Sequence, residues 1–354
     1  MLQDKYRPQS LEAMQRVSAA NILKGLPLSS VSNLILTGPE GAGKRTLFSA
    51  FIKHTLQSTP VFHAYTSTYE VSPSKSVEVE FLESKEVLEV KIEGLGGYDK
   101  KVLQKVASDI SATKSIKTII SMSSSGAQAG TPKEAGASAR ANMPKILLIP
   151  DGHLLSTGAQ MALRRVLEKG ASNFRLVILT TSVSHLIPAF RSRFLVCRVP
   201  SPTDQELAEM VREIAVAEGM PVPCEAVNKI VSLSNGNIRV ALSLLELAIH
   251  REPVSEAPWD ATISSLVKGI QTSPSIKFLI ETRGVVYSLL TQHLPANHIM
   301  LSIMQGLLKK EKAVDRAKTI TELAAKYTGR LCAGTKDMFH IEAFIANAMV
   351  LYTE

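Results

Sequence analysis

The stretch Asn33-Leu-Ile-Leu-Thr37-Gly38-Pro-Glu-Gly41-Ala-Gly43-Lys44-Arg45-Thr46 decides how the rest of the chain is read. Asn33 to Thr37 is a near-continuous apolar run of the kind that fills a buried parallel strand. Glycines and a lysine follow, and an apolar helical pattern with Leu47, Phe51 and Ile52 comes directly after. Strand, Gly-rich turn and helix in that order are the context of a phosphate-binding loop. The glycines let backbone N–H groups converge on phosphate oxygens, and the helix N-terminus adds its positive end. Lys44 is placed to reach the β- and γ-phosphates. A Gly-rich turn without a ligand is the plainer reading, and the strand and helix on either side argue against it.

The departure from the pattern matters as much as the match. The residue after the lysine should be Ser or Thr, to hold Mg²⁺, and here it is Arg45, with Thr46 one place late. The second nucleotide element should be an apolar strand followed by two acids, one for the metal and one for the attacking water. Here Lys145-Ile-Leu-Leu-Ile149 is followed by Pro150-Asp151. Proline cannot serve at the first acidic position, while Asp151 fits the second with a shorter side chain. If the register is moved so that Asp151 is the metal-binding acid, Gly152 and His153 follow and no catalytic acid remains. Either alignment predicts nucleotide binding with a poorly held metal and inefficient hydrolysis.

Around this centre, Asn33 to Pro200 alternates β-rich runs with helical ones, the pattern of a parallel sheet covered by helices. Lys145 to Ile149 and Phe174 to Thr181 read as buried strands, and Val61 to Tyr65 and Phe194 to Val199 as further ones. The alternation from Val77 to Ile92, broken at Glu83-Ser-Lys85, reads as a half-exposed hairpin inserted into this plan. Of the 22 residues from Ser121 to Asn142, 14 are Ser, Ala or Gly, which predicts a mobile surface loop.

After Pro200 the strand signals stop. Thr203-Asp-Gln-Glu206 is a capping box opening a helix that Gly219 ends, and two short helices flank Asn235-Gly236-Asn237. Beyond a linker around Arg251 to Pro258 the pattern is again helical, with Ile276 to Leu290, Ile299 to Leu308 and Phe339 to Leu351 the best candidates. Three domains are expected: α/β over 1–200, a small helical module over 201–254, and a helical bundle over 255–354.

The chain has 354 residues, 45% of them hydrophobic, which excludes a disordered or collagen-like polymer. Its 40 Lys and Arg against 32 Asp and Glu give +8, a modest excess that suits an anionic partner. The cysteines Cys197, Cys224 and Cys332 are too few and too scattered for a disulfide framework or a zinc knuckle, so a reducing compartment is expected and no metal site is assigned. No secretory signal or spanning segment is legible, which predicts a soluble protein without membrane contact. His63 and His153 have no partners at a spacing that suggests a triad or metal site, and the scattered methionines read as core.

Several strings together carry a family resemblance: Asp4-Lys-Tyr-Arg-Pro8, the loop Gly38 to Thr46, Ala159-Gln-Met-Ala-Leu-Arg-Arg-Val-Leu-Glu-Lys169, Ile187-Pro-Ala-Phe-Arg-Ser-Arg193 and Ser234-Asn-Gly-Asn-Ile-Arg239. In their order and spacing the chain resembles the small subunits of the sliding-clamp loader replication factor C, members of the AAA+ family, over nearly its whole length. It looks most like the branch called subunit 3 in animals and subunit 5 in budding yeast, whose loop also has a basic residue after the lysine. Glu281-Thr-Arg-Gly-Val-Val-Tyr-Ser-Leu-Leu290 and Phe339-His-Ile-Glu-Ala-Phe-Ile-Ala346 support that choice.

The resemblance implies an AAA+ domain, a helical lid and a C-terminal collar that joins the chain to four other subunits in a heteropentamer. It implies ATP or ADP at Tyr6, Arg7, Gly38, Glu40, Gly41, Ala42, Gly43, Lys44, Arg45, Thr46, first-sensor Thr181 and second-sensor Arg239. Ser192-Arg193 matches a Ser-Arg-Cys motif, with Phe194 replacing the cysteine, whose arginine enters the neighbouring subunit's ATP site; such fingers are worth ~10³ to 10⁵ in rate. Asp151 takes a degenerate acidic position. Lys101, Lys105, Arg164 and Arg165 are implied to follow the backbone of primer-template DNA without reading sequence. The implied setting is nuclear DNA replication and repair, with a ring-shaped clamp as partner. An autonomous AAA+ ATPase with a working loop and a scaffold that has lost nucleotide binding are the competing readings.

Overall fold

The computed structural model describes residues 1–14, 17–25, 33–56, 61–72, 75–84, 86–92, 95–112, 145–169, 174–220, 222–250, 258–311, 313–334 and 336–353. The loop expected over 121–142 and the linker over 251–257 lie outside them. The chain divides into two compact units, Met1–Val254 and Ser255–Glu354.

The first unit is built on a seven-stranded sheet of order β2-β3-β4-β5-β6-β1-β7. Its strands are β1 (Asn33–Thr37), β2 (His63–Ser72), β3 (Lys75–Glu83), β4 (Val87–Val90), β5 (Lys145–Ile149), β6 (Phe174–Thr180) and β7 (Phe194–Arg198). From β4 to β7 every pairing is parallel, and β2 and β3 extend one edge antiparallel. Strand β6 stops at Thr180, one residue short of the expected end.

The β-region of the apolar runs is decided by two-sided burial. On one face Ile35, Leu147, Ile149, Leu176 and Ile178 are buried beneath two helices, Asp99–Ala112 (α4) and Thr157–Lys169 (α5), which contribute Val102, Leu103, Val106, Ala159 and Leu163. On the other face Leu34, Leu36, Ile146, Leu148 and Val177 pack under Lys44–Leu56 (α3), with Leu47, Phe48 and Phe51; the helices Leu2–Lys5 (α1) and Ser18–Lys24 (α2) precede it in the chain. Odd and even positions of one strand thus enter different clusters, as a period of two requires.

The hairpin from Val77 to Ile92 corrects the sequence reading. The turn is present, with the Ser84 N–H donating to the Val87 carbonyl at 2.7 Å. The β3 arm of the hairpin is half-exposed as expected, with Glu78 and Glu80 exposed on either side of the buried Val79, but its β4 arm is not, because β4 pairs parallel with β5, Glu89 lying opposite Leu148. Val79, Phe81, Val87 and Val90 are buried, and so is Glu89. Alternation with glutamate normally marks a solvated face; here one of those glutamates is covered and has an arginine partner.

Three helices follow the sheet: Asp204–Ala217 (α7), Cys224–Ser234 (α8) and Ile238–Ile249 (α9), after the short Pro188–Arg191 (α6). The Thr203 hydroxyl accepts from the Glu206 N–H at 3.3 Å, and the Glu206 carboxylate accepts from the Thr203 N–H at 2.8 Å, completing the capping box. Leu207, Val211, Val227, Ile230 and Leu245 form their apolar cluster, which Leu2 joins from the N-terminus.

The second unit contains Pro258–Thr272, Ile276–Thr291, Ala296–Lys310, Val314–Ala333 and Asp337–Thr353, all helical. Pro258 opens the first of these, a position where its missing N–H costs nothing. Ile270, Ile303, Leu307, Ile320, Phe344 and Ile345 are fully buried in this unit's own core.

Candidate functional site

The loop after β1 owes its path to glycine. Gly41 and Gly43 have φ of +71° and +89°, the left-handed region that side-chain-bearing residues avoid. A Cβ on Gly38 would lie 2.0 Å from the Val199 carbonyl oxygen, and one on Gly41 would lie 1.9 Å from Asn237 Oδ1. Gly41 is therefore where the loop and the helical module touch. Asn237 caps α9, its Oδ1 accepting from the Arg239 and Val240 N–H groups. The close approach brings the start of α9 to the phosphate loop.

The first helical bond of α3 runs from the Leu47 N–H to the Gly43 carbonyl. The N–H groups of the preceding turn are left without helical acceptors, which suits an anion. Lys44 Nζ donates to the Gly38 and Pro39 carbonyls at 2.7 and 2.9 Å, lying along the loop where phosphate oxygens would compete for it. Burial lowers the Lys44 pKa below the ordinary lysine value; Glu40 and Asp151 oppose that, and Arg239 adds to it. Lys44, Glu40, Asp151 and Arg239 accordingly share one electrostatic site.

Arg45 does not project freely into solvent. Its Nη2 donates to Glu89 Oε2 at 2.7 Å, and the glutamate side chain is only 3% exposed against 53% for the arginine. Glu89 Oε1 is buried without a hydrogen-bond partner. Burial raises the Glu89 pKa, Arg45 and then Lys91 pull it down, and Asp151 pushes it up again. Sequence reading missed Glu89; the available signal was that Val87, two residues earlier and on the same face, is apolar.

The residues fit a nucleotide's phosphates and do not fit its usual metal. Mg²⁺ needs a near-octahedral set of oxygens, in P-loop sites a Ser or Thr hydroxyl and an acid. At those positions stand a guanidinium tied to Glu89 and Pro150. Among the described residues no three His, Cys, Asp or Glu side chains gather as a metal site.

Tyr6 and Arg7 are not brought to this cluster by any observed contact. The Tyr6 phenol is held by Glu218, which raises its pKa, and Lys5 donates to the same carboxylate at 2.6 Å; Arg7 is exposed. Thr181 lies just past β6, half-exposed, while its buried neighbour Thr180 donates to the Ser182 carbonyl at 2.8 Å and accepts at its own carbonyl from the Gly38 N–H.

Arg193 lies elsewhere. Phe194 is registered opposite Asn33, so Arg193 sits at the end where β1 begins. Gly38 leaves the opposite end of β1, five residues or roughly 16 Å away. The Arg193 guanidinium donates to the Ala189 carbonyl at 2.6 Å and to Glu168 Oε1, which also accepts from Arg164 Nε at 3.1 Å. Arg164 and Arg193 together hold the Glu168 carboxyl below its ordinary range.

Helices α4 and α5 start side by side. Asp99, 1% exposed, accepts from the Lys100 N–H and from both the N–H and hydroxyl of Ser156. Lys101 and Lys105 are exposed on α4 and Arg165 on α5, while Arg164 is half-buried. Gln160, fully buried on α5, was not read from sequence. Its amide donates to the Leu155 and His185 carbonyls, and its Oε1 accepts from the Ile187 N–H. That one side chain ties α5 to the segment leading to Arg193.

Comparison with known proteins gives consistent findings. A family model described as the replication factor C subunit 3 C-terminal domain matches residues 259–354. The chain is 30% identical to replication factor C subunit 5 of Saccharomyces cerevisiae, with 98% of each chain covered. It is 27% identical to replication factor C subunit 3 of Homo sapiens, over 99% of this chain and 95% of that one. With replication factor C subunit 5 of Oryza sativa subsp. japonica the identity is 28%, over 99% and 97%.

Proposed function

This chain belongs to the replication factor C subunit family, and we propose on that premise that it is one subunit of a heteropentameric sliding-clamp loader. It binds ATP or ADP at its own loop with little or no hydrolysis. It supplies Arg193 to the neighbouring subunit's ATP site and helps set a ring-shaped clamp on primer-template DNA. The observation that carries this reading is the pairing of Arg45 with the buried Glu89, at the place where a hydrolysing site would hold its metal ligand.

The division of labour follows the chain. Residues 1–200 hold nucleotide, 201–254 form the lid that brings Arg239 to the phosphates, and 255–354 form the collar that joins the subunits. The distance of Arg193 from its own loop supports the reading that it acts on another chain, where a fixed cation would stabilise charge developing on the transferred phosphoryl group. Lys101, Lys105, Arg164 and Arg165 contact the phosphate backbone, which suits loading at any sequence. The setting is nuclear, in replication and repair.

ATP turnover by the isolated chain tests the reading against an autonomous ATPase. Turnover at background, unchanged in Lys44→Ala, is expected; robust turnover that Lys44→Ala abolishes would overturn it.

A further inference from the structure

We propose that the Arg45–Glu89 ion pair stands in for the metal of this site, so that the chain takes its nucleotide as the metal-free polyphosphate. The inference rests on the reading that the loop binds nucleotide, and it specifies in which ionic form.

The backbone of Arg45 occupies the position from which a hydroxyl would reach the metal, in the first turn of α3. Its side chain crosses toward β4 because Glu89 faces the same side as Val87, the side covered by α3. Leu148, opposite Glu89 in the sheet register, lies in the same apolar cluster and gives the carboxylate no polar neighbour. A carboxylate so buried needs a cationic partner, and among the described residues Arg45 is within hydrogen-bond distance of it.

The pairing fixes the guanidinium in place and uses one of its five N–H donors. The side chain is half-exposed, so the remaining donors are open to phosphate oxygens, for which the planar guanidinium fork is well shaped. A guanidinium held there also repels a divalent cation. Asp151 lies within electrostatic reach of both Glu89 and Lys44, but Pro150 leaves it without the adjacent acid. Glu89 Oε2 is the acceptor that keeps the arginine tied when phosphates compete for it, and Oε1 is buried without a hydrogen-bond partner.

Binding of a fluorescent ADP analogue to the full-length chain, in excess Mg²⁺ and in excess EDTA, tests this. Affinity within about twofold between the two conditions is expected for the wild type. Arg45→Thr is expected to create metal dependence, with affinity in Mg²⁺ at least ~10-fold above that in EDTA, a difference of about 1.4 kcal/mol. Glu89→Gln, which keeps size and hydrogen bonding, is expected to weaken binding in EDTA while thermal unfolding confirms that it folds. Retention of Mn²⁺ with ADP in equilibrium dialysis should appear in Arg45→Thr and not in the wild type. Wild-type binding that needs Mg²⁺ overturns the proposal and leaves nucleotide binding standing. Absence of binding in both conditions overturns the nucleotide reading beneath it.

Discussion

Glu89 holds an unusual position for a carboxylate: buried on a strand, with one oxygen paired to Arg45 and the other to nothing. An acid whose pKa is raised on folding favours the native state while protonated, so its stability contribution is present below the ordinary glutamate value of 4.5 and is lost as pH rises through the folded value. Glu89→Gln removes that dependence. The variant should gain stability relative to the wild type as pH rises above the ordinary glutamate value of 4.5, measured by denaturant unfolding at each pH. An unchanged difference above that value would mean the carboxylate is not penalised by burial. Arg45 was legible in the sequence as a departure, because the loop pattern fixes what should follow Lys44. Its partner was not, because alternation along β4 assigns Glu89 to a face without saying whether that face is covered.

At the scale of elements, α4 and α5 determine what the sheet offers outward. Their N-termini are pinned by Asp99; Lys101, Lys105 and Arg165 are exposed, with Lys105 lying over the Tyr69 ring, while Arg164 is half-buried and shares Glu168 with Arg193. Lys101→Ala, Lys105→Ala and Arg165→Ala in the assembled loader should each weaken duplex binding regardless of sequence and reduce the salt slope by about 0.9. Arg164→Ala should do less, since its guanidinium already has a carboxylate partner. Slopes that do not move would remove this face from DNA binding.

Elements were legible where one signal dominated. The apolar run of β1, the capping box at Thr203 and the turn at Asn235, with φ of +47°, are local chemistry and stand where the sequence placed them. The helix Val314–Ala333 was not singled out, because its buried face is Ile320, Ala324, Tyr327 and Leu331, in which a small and a polar-tipped residue dilute the apolar period. The hairpin was found but misplaced, since pairing of β4 with β5 joins strands separated by more than fifty residues, a contact that no local pattern records.

At the scale of the whole sheet, Arg45 and Arg193 lie at opposite ends of the parallel strands. Lys44 and Arg45 follow the C-terminal end of β1, and Arg193 precedes β7 at the N-terminal end of the neighbouring strand. On the function proposed above, a subunit arranged this way acts mainly through its neighbour's reaction and only as a binder at its own site. Steady-state ATP turnover of the reconstituted loader carrying Lys44→Ala or Arg193→Ala in this subunit separates the two roles most directly. The account predicts turnover within about twofold of wild type for Lys44→Ala and a loss at the neighbouring site approaching ~10³-fold for Arg193→Ala, with assembly intact in both. Turnover that falls with Lys44→Ala and survives Arg193→Ala would contradict it.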